Sequence, residues 1–472
     1  MKILFYSSYH ATPHIETELE IATRLINDGH EVYFLQCKGE SKVCFANPEH
    51  SLIGCQLCIS KVNNAYKQLN LPASRFLTFP KVNIEPTTLQ TTFDSVQELK
   101  DLNYKGCDVG MAVASSLISY TRNHKPDLRY YTSFIERGLK TAMRIYEVAE
   151  KVLNQVQPDE VYLFNGRFLE VRPFMRVCEQ RNITFYTHER GGILSKYMLR
   201  QGSIPHSLAT AAIEIETLWG EGGTAKEEIG NKFYTDRRDR VVQGWHTFTD
   251  SQTWNKLPPG FDKSKENIVI FNSSMDEYEG IAGFNNPIYE DDNDGIRKIL
   301  EAFANDASKH FYLRVHPNLK QLKNVQLDEI NQIALKYKNI SVISAEEDID
   351  TYGLMDNADK VITFGSTMGM ESVYWNKPVI LLGRALYEQL NCLYIPKSHQ
   401  EAVDILNNRE LACFNRELTL KYGYWCLNFG NPHHLYSPLS VTKGVFKEKP
   451  IYPNMFWRLM YVIQNKLKNV RS

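Results

Sequence analysis

The sequence predicts an α/β protein made of two doubly wound domains with parallel sheets. Three observations predict it. Short apolar runs that read as buried strands recur in both halves, at 2–7, 31–35, 160–164 and 183–186, then at 268–271, 311–315, 340–344, 360–364 and 378–382. Helical stretches separate most of them, as crossovers between parallel strands require. The length of 472 residues exceeds what one core ordinarily holds, so two domains are expected.

Composition narrows the function. A net charge of −1 argues against a nucleic-acid groove. No apolar run approaches the ~20 residues of a membrane-spanning helix. The opening Met1-Lys2-Ile3-Leu4-Phe5-Tyr6 reads as a first strand rather than a signal peptide, because polar residues and His10 follow at once. Nine cysteines at irregular spacing read as reduced thiols, and a cytoplasmic protein is expected.

In the first domain the loop at 8–13 leads into a helix with Ile15, Leu19, Ile21, Ala22 and Leu25 on its apolar side. The Gly-x-Gly-x-x-Gly turn of dinucleotide sites is absent. His10, His14, Glu16 and Glu18 belong to this edge; Glu16 and Glu18 read as first-turn residues matching the helix dipole, and His14 as a substrate contact. Cys37, Cys44, Cys55 and Cys58 fit no standard zinc knuckle and read as ordinary thiols rather than a zinc or iron–sulfur site. Residues 60–155 read as mainly helical. Two strand ends then carry Asn165-Gly166-Arg167 and His188-Glu189-Arg190-Gly191. Glu189 is the candidate general base, helped by His188 or held by Arg190; Asn165, Arg167 and Arg190 are candidate acceptor contacts. His188-Glu189 is no zinc-peptidase motif, since no second histidine follows four residues on. Asp291-Asp292-Asn293-Asp294 reads as a helix N-cap with acidic neighbours.

Leu257-Pro258-Pro259-Gly260 punctuates a polar stretch and sets the expected boundary, giving domains 1–255 and 256–440 and a tail at 441–472. Both domains read as Rossmann-like, facing a cleft lined by Asn272, Ser273 and Ser274. Arg314-Val315-His316-Pro317 ends one strand. Phe364-Gly365-Ser366-Thr367-Met368-Gly369-Met370-Glu371 turns from another strand into a helix, whose free N–H groups and hydroxyls suit a phosphate. The stretch 455–470 is an amphipathic helix, with Arg458, Lys466 and Lys468 beside Phe456, Leu459, Val462 and Ile463. Its apolar side is expected to pack back on the first domain, with peripheral membrane contact as the alternative.

Arg314-Val315-His316-Pro317, Asp350-Thr351-Tyr352, Ala358-Asp359-Lys360-Val361 with Ser366-Thr367, Gly369 and Glu371, and Lys377-Pro378-Val379 resemble bacterial capsule and surface-polysaccharide transferases of the GT-B architecture. The resemblance implies that His316, Ser366 and Thr367 contact the donor phosphate and that Glu371 meets the ribose. Arg314 and Gly365 join that donor set, and His316 joins Glu189 and His188 in the catalytic one. It implies glycosyl transfer from a CMP-, UDP- or GDP-linked sugar to a glycan or lipid-linked acceptor in capsule or lipopolysaccharide synthesis. No cofactor and no metal are required on this reading. A nucleotide-sugar 2-epimerase, a CDP-polyol phosphotransferase and a non-catalytic assembly scaffold are the alternatives.

Overall fold

The computed structural model describes residues 1–84, 90–241 and 248–471, and side chains up to residue 466. The chain divides into two compact units. The first comprises Met1–Thr121, Lys125–Pro205 and Gly430–Ser472; the second comprises Arg122–His124 and His206–Phe429.

The first unit runs β1 (Lys2–Ser7), α1 (His14–Asn27), β2 (Glu31–Gln36), α2 (Leu52–Tyr66), β3 (Phe76–Thr78), α3 (Val96–Lys100), α4 (Val109–Thr121), α5 (Thr132–Val156), β4 (Glu160–Phe164), α6 (Arg172–Gln180), β5 (Thr184–Arg190) and β6 (Lys196–Gln201). Its parallel strands lie in the order β3-β2-β1-β4-β5, and β6 adds antiparallel to β5. Ile3 and Phe5 face one apolar cluster while Leu4 and Tyr6 face another, so β1 is covered on both sides and reads as a continuous apolar run.

In the second unit, α7 (Leu208–Glu221) and α8 (Lys226–Arg238) precede β7 (Glu266–Phe271), α9 (Asp292–Ala302), β8 (Lys309–Arg314), α10 (Val325–Lys336), β9 (Ile340–Ile343), α11 (Thr351–Asp356), β10 (Lys360–Thr363), α12 (Met368–Tyr374), β11 (Val379–Leu381), α13 (His399–Asn407) and α14 (Glu417–Asn428). The sheet is wholly parallel, in the order β11-β10-β7-β8-β9. Its strand order reverses at β7, and the carboxyl ends beside such a switch point are where open α/β sheets bind ligands. Asp291 caps α9 as expected, its Oδ1 accepting from Asp294 N at 2.9 Å.

The chain then returns to the first unit. β12 (Asn431–Pro432) pairs with β6, and β13 (Tyr436–Ser440) and β14 (Lys443–Phe446) form a hairpin before α15 (Met455–Arg471). Glu20 anchors this return by accepting the N–H groups of His434, Leu435 and Tyr436 at 2.8, 2.8 and 2.9 Å.

Three expectations need correction. The change of unit falls between Pro205 and His206, not between 255 and 256. The reason is helix packing: Gly230 of α8 lets Leu420 of α14 approach closely, and Tyr234 donates to Thr419 O at 2.6 Å. The second unit ends at Phe429 rather than 440. The 60–155 stretch is mainly helical as expected, with the short strand β3 inside it. Finally, α15 contacts α2, yet Met455, Phe456, Leu459, Val462 and Ile463 remain exposed, so its apolar side is only partly covered. The Lys468 side chain lies outside the described residues.

Candidate functional site

The second unit holds the site that its sheet topology points to. A cavity of about 90 Å³ opens at the ends of β7, β8 and β10, lined by Asn272, Arg314, His316, Ser366, Thr367 and Glu371. Arg237, Phe248, Gln252, Thr351 and Tyr352 also line it.

His316 leaves β8 at the wall of the cavity. Its backbone N–H donates to Asn272 Oδ1 at 2.8 Å, and its Nδ1 accepts from Asn318 N at 3.2 Å. An accepting Nδ1 assigns the ring proton to Nε2. Burial pushes this imidazole down to about 4, with Asp276 opposing and Arg122 assisting. At neutral pH His316 is therefore an uncharged donor. Asn272 is buried, and its Nδ2 has no hydrogen-bond partner.

The positive charge comes from a residue that the motifs did not reveal. Arg237, at the end of α8, reaches Glu371 Oε1 through Nε at 3.1 Å and Thr367 Oγ1 through Nη2 at 3.3 Å. Burial opposes its charge, but the Glu371 carboxylate more than offsets this and holds the guanidinium protonated. Tyr352 donates to the other oxygen of Glu371. The run Asp236-Arg237-Arg238-Asp239-Arg240 was the available signal, but it lay beyond the expected boundary.

The turn after β10 is tighter than the sequence implied. Gly365 has φ +131°, and a Cβ there would lie 2.5 Å from Arg384 O, so only glycine fits without strain. Gly365 N and Ser366 N donate to Thr363 Oγ1 at 3.3 and 3.1 Å, and Met368 N donates to Ser366 Oγ at 3.3 Å. The expected free N–H groups are thus mostly satisfied within the turn. The side chains of Ser366 and Thr367 line the cavity wall.

Other expected donor residues divide. Arg314 lines the cavity, but its guanidinium donates to Ser344 O and Glu347 O at 2.7 and 3.0 Å, so it positions the loop after β9. Ser274 donates to Asp276, and Ser273 and Ser274 do not line the cavity. Glu371 lines the cavity and is buried, its carboxylate accepting from Arg237 Nε and the Tyr352 hydroxyl.

In the first unit the expected residues gather around Glu189. Asn165 Nδ2 donates to Glu189 Oε2 at 2.8 Å, Arg190 N donates to Oε1 at 3.0 Å, and His14 Nε2 lies 3.5 Å from Oε1. Burial pushes His14 down to about 4 although Glu189 pulls it upward, so the contact joins a neutral ring to a carboxylate. His188, Glu189 and Arg190 belong to β5 rather than to a loop, because β6 extends the ladder through Arg190. The imidazole that reaches Glu189 is that of His14; His188 is fully buried, 3.4 Å from Glu18. Arg190 donates to Val441 O at 3.2 Å, and Arg167 to Ser119 Oγ at 3.2 Å. Glu16 stands in the first turn of α1, as expected, and Glu18 follows it; both are buried, Glu16 beside Lys61 and Thr12 and Glu18 accepting from Ser7.

Among the described residues, His124, Asp291 and Glu329 bring three metal-capable atoms within 4.8 Å of one another. His124 Nε2 stands 3.7 Å from Asp291 Oδ2. No described helix is long and apolar enough to cross a membrane.

Comparison with known proteins follows the second unit. Residues 261–391 match a family model described as capsule polysaccharide biosynthesis protein. The capsule polysaccharide export protein KpsS of Escherichia coli is 27% identical over 117 residues, which are 25% of this chain and 30% of that relative. The KpsC beta Kdo 2,4 transferase structure from Thermosulfurimonas dismutans aligns over 65% of this chain and 87% of its own, at 15% identity and a TM-score of 0.37. A UDP-GlcNAc 2-epimerase from Neisseria meningitidis, bound to UDP-GlcNAc, aligns over 90% and 97% at 12% identity and a TM-score of 0.29. The stretch similar to capsule polysaccharide biosynthesis proteins thus contains Asn272, Arg314, His316, Ser366, Thr367 and Glu371, the greater part of the cavity wall.

Proposed function

We propose that the protein transfers a sugar from a nucleotide-activated donor to a glycan or lipid-linked acceptor in capsule or related surface-polysaccharide synthesis. One observation carries the reading: uncharged and cationic donors converge on one cavity at the sheet's switch point. Asn272 Nδ2 is buried and unpartnered there, His316 offers Nε2–H, and Arg237 supplies a fixed positive charge. Such a set suits a phosphate whose negative charge grows as the glycosidic bond breaks. Ser366 and Thr367 add hydroxyls on the same wall.

Acceptor activation is assigned to Glu189. Asn165 and the Arg190 N–H orient its carboxylate, and a neutral His14 beside it can exchange a hydrogen bond as the acceptor hydroxyl loses its proton. Arg237 already provides the cation that phosphate departure calls for, so the reading asks no metal of this cavity. The exposed apolar residues of α15, with Arg458 and Lys466 beside them, support contact with an anionic membrane surface.

A thermal-shift panel of CMP, CDP, UDP and GDP and their sugar conjugates tests the donor reading. Stabilisation by at least one nucleotide is expected. Failure of every nucleotide to stabilise the chain would favour a scaffold. An epimer formed from donor alone would favour a 2-epimerase, and transfer from a CDP-alcohol would favour a polyol-phosphate transferase.

A further inference from the structure

Three side chains that the nucleotide reading does not use meet in the second unit. His124 belongs to the segment after α4, Asp291 caps α9, and Glu329 lies on α10. One ligand atom from each lies within 4.8 Å of the other two, and His124 Nε2 stands 3.7 Å from Asp291 Oδ2. Residues this far apart in sequence have no local reason to converge, since neither helical spacing nor strand register relates 124, 291 and 329.

The histidine points to a missing ligand. Its side chain is 2% exposed, and neither Nδ1 nor Nε2 has a hydrogen-bond partner among the described residues. A buried polar group left without a partner is costly, and native structures supply one for the great majority of such groups. The Asp291 carboxylate is too far away to accept a hydrogen bond from this ring. The same gap suits a shared ion. Metal–ligand bonds of ~2.0–2.2 Å in tetrahedral geometry set neighbouring ligand atoms roughly 3.3–3.6 Å apart.

The carboxylates are held from behind. Asp291 accepts from Asp294 N through Oδ1 at 2.9 Å, while Oδ2 is the oxygen nearer His124. Glu329 Oε2 accepts from Asn293 Nδ2 at 2.8 Å, and the same Nδ2 donates to Gln326 O at 3.0 Å. Hydrogen bonds of this kind orient metal ligands. The histidine's segment is fastened as well: Asn324 Nδ2 donates to Arg122 O at 2.8 Å, and Arg122 Nη2 to Asn318 O at 3.2 Å. Glu329 is half-buried, which leaves that side accessible to an ion and to water.

The donor set selects the ion. Two carboxylates balance a divalent charge, and the imidazole favours zinc over magnesium or calcium. The first unit's thiols compete poorly for it. Cys37, Cys44, Cys55 and Cys58 line one hollow, but burial pushes the Cys44, Cys55 and Cys58 thiols up, toward the neutral form that does not ligate.

We propose that His124, Asp291 and Glu329 bind one zinc ion, with water completing its shell. The ion joins residues 122–124 to α9 and α10. Its role is structural and does not depend on what the nucleotide cavity holds.

The test titrates the full chain, stripped with a chelator and dialysed, with zinc chloride and counts the bound zinc by elemental analysis. Wild type is expected to hold one ion per chain more than His124→Asn or Glu329→Gln, or to bind that ion at least tenfold more tightly. Cys58→Ser should bind it as wild type does. Should the variants fail to fold, the wild-type chain decides: zinc should slow hydrogen exchange at residues 122–124 and 291–295, with little change in α2. A wild-type chain that binds no zinc, folded variants that take up as much as wild type, or slowing confined to the cysteine hollow would overturn the proposal.

Discussion

Replacing Arg237 by Met probes the cavity's electrostatics most sharply. The guanidinium sits 3.1 Å from a Glu371 carboxylate whose side chain is 1% exposed, and the remaining carboxylate partner is the Tyr352 hydroxyl. Removing one member of a buried ion pair leaves an uncompensated charge and costs about 3–5 kcal/mol. Urea unfolding at pH 7 reads this out. Tryptophan fluorescence follows mainly the second unit, which holds Trp219, Trp254, Trp375 and Trp425. Arg237→Met should be about 3–5 kcal/mol less stable than wild type. Adding Glu371→Gln should recover much of the loss. A variant within ~1 kcal/mol of wild type would refute the reasoning, because that is the worth of an ordinary surface pair.

Other outcomes follow from the same contacts. Glu189→Gln should abolish transfer while nucleotide-induced stabilisation is kept; normal turnover would remove Glu189 from the role of base. Gly365→Ala should destabilise the second unit and weaken nucleotide binding, since the new Cβ would meet Arg384 O at 2.5 Å; unchanged binding would show that the turn does not shape the cavity. Glu20→Ala strands three N–H groups at residues 434–436, so hydrogen exchange there should accelerate by at least tenfold, equivalent to ~1.4 kcal/mol, with little change in β7–β11. His14 and His316 are lowered from 6.5 to about 4, so the unfolded chain binds more protons between those values. Stability should be full above pH 6.5, fall as pH drops through the window, and level off below about 4 as far as these groups are concerned; a flat profile there would contradict their burial as neutral rings.

The second sheet was largely legible because parallel strands covered on both faces read as apolar runs, and 268–271, 311–315 and 360–364 all coincide with strands. The first unit was harder. β5 mixes Thr187, His188, Glu189 and Arg190 into a ladder with β6, so polarity disguised four strand residues as a loop. Leu257-Pro258-Pro259-Gly260 looked like the natural boundary, whereas the packing of α8 on α14 around Gly230 and Gly423 decides where the second unit begins. His316, Ser366 and Thr367 could be read from local motifs. Arg237 could not, because its significance depends on a tertiary contact with Glu371, which no local pattern encodes. The cysteine spacing was visible, but only folding shows that a strand end, a loop and a helix face one hollow.

Calorimetric titration of wild type and His316→Ala, with the best-stabilising nucleotide and its unphosphorylated nucleoside, tests the phosphate-binding claim most directly. The account predicts that the nucleoside binds much more weakly than the nucleotide. It also predicts that loss of the Nε2–H donor weakens nucleotide binding by about ten- to a hundredfold, the worth of roughly 1.5–3 kcal/mol for a hydrogen bond to a charged group. Equal affinity for nucleoside and nucleotide, or an unchanged dissociation constant in His316→Ala, would contradict it.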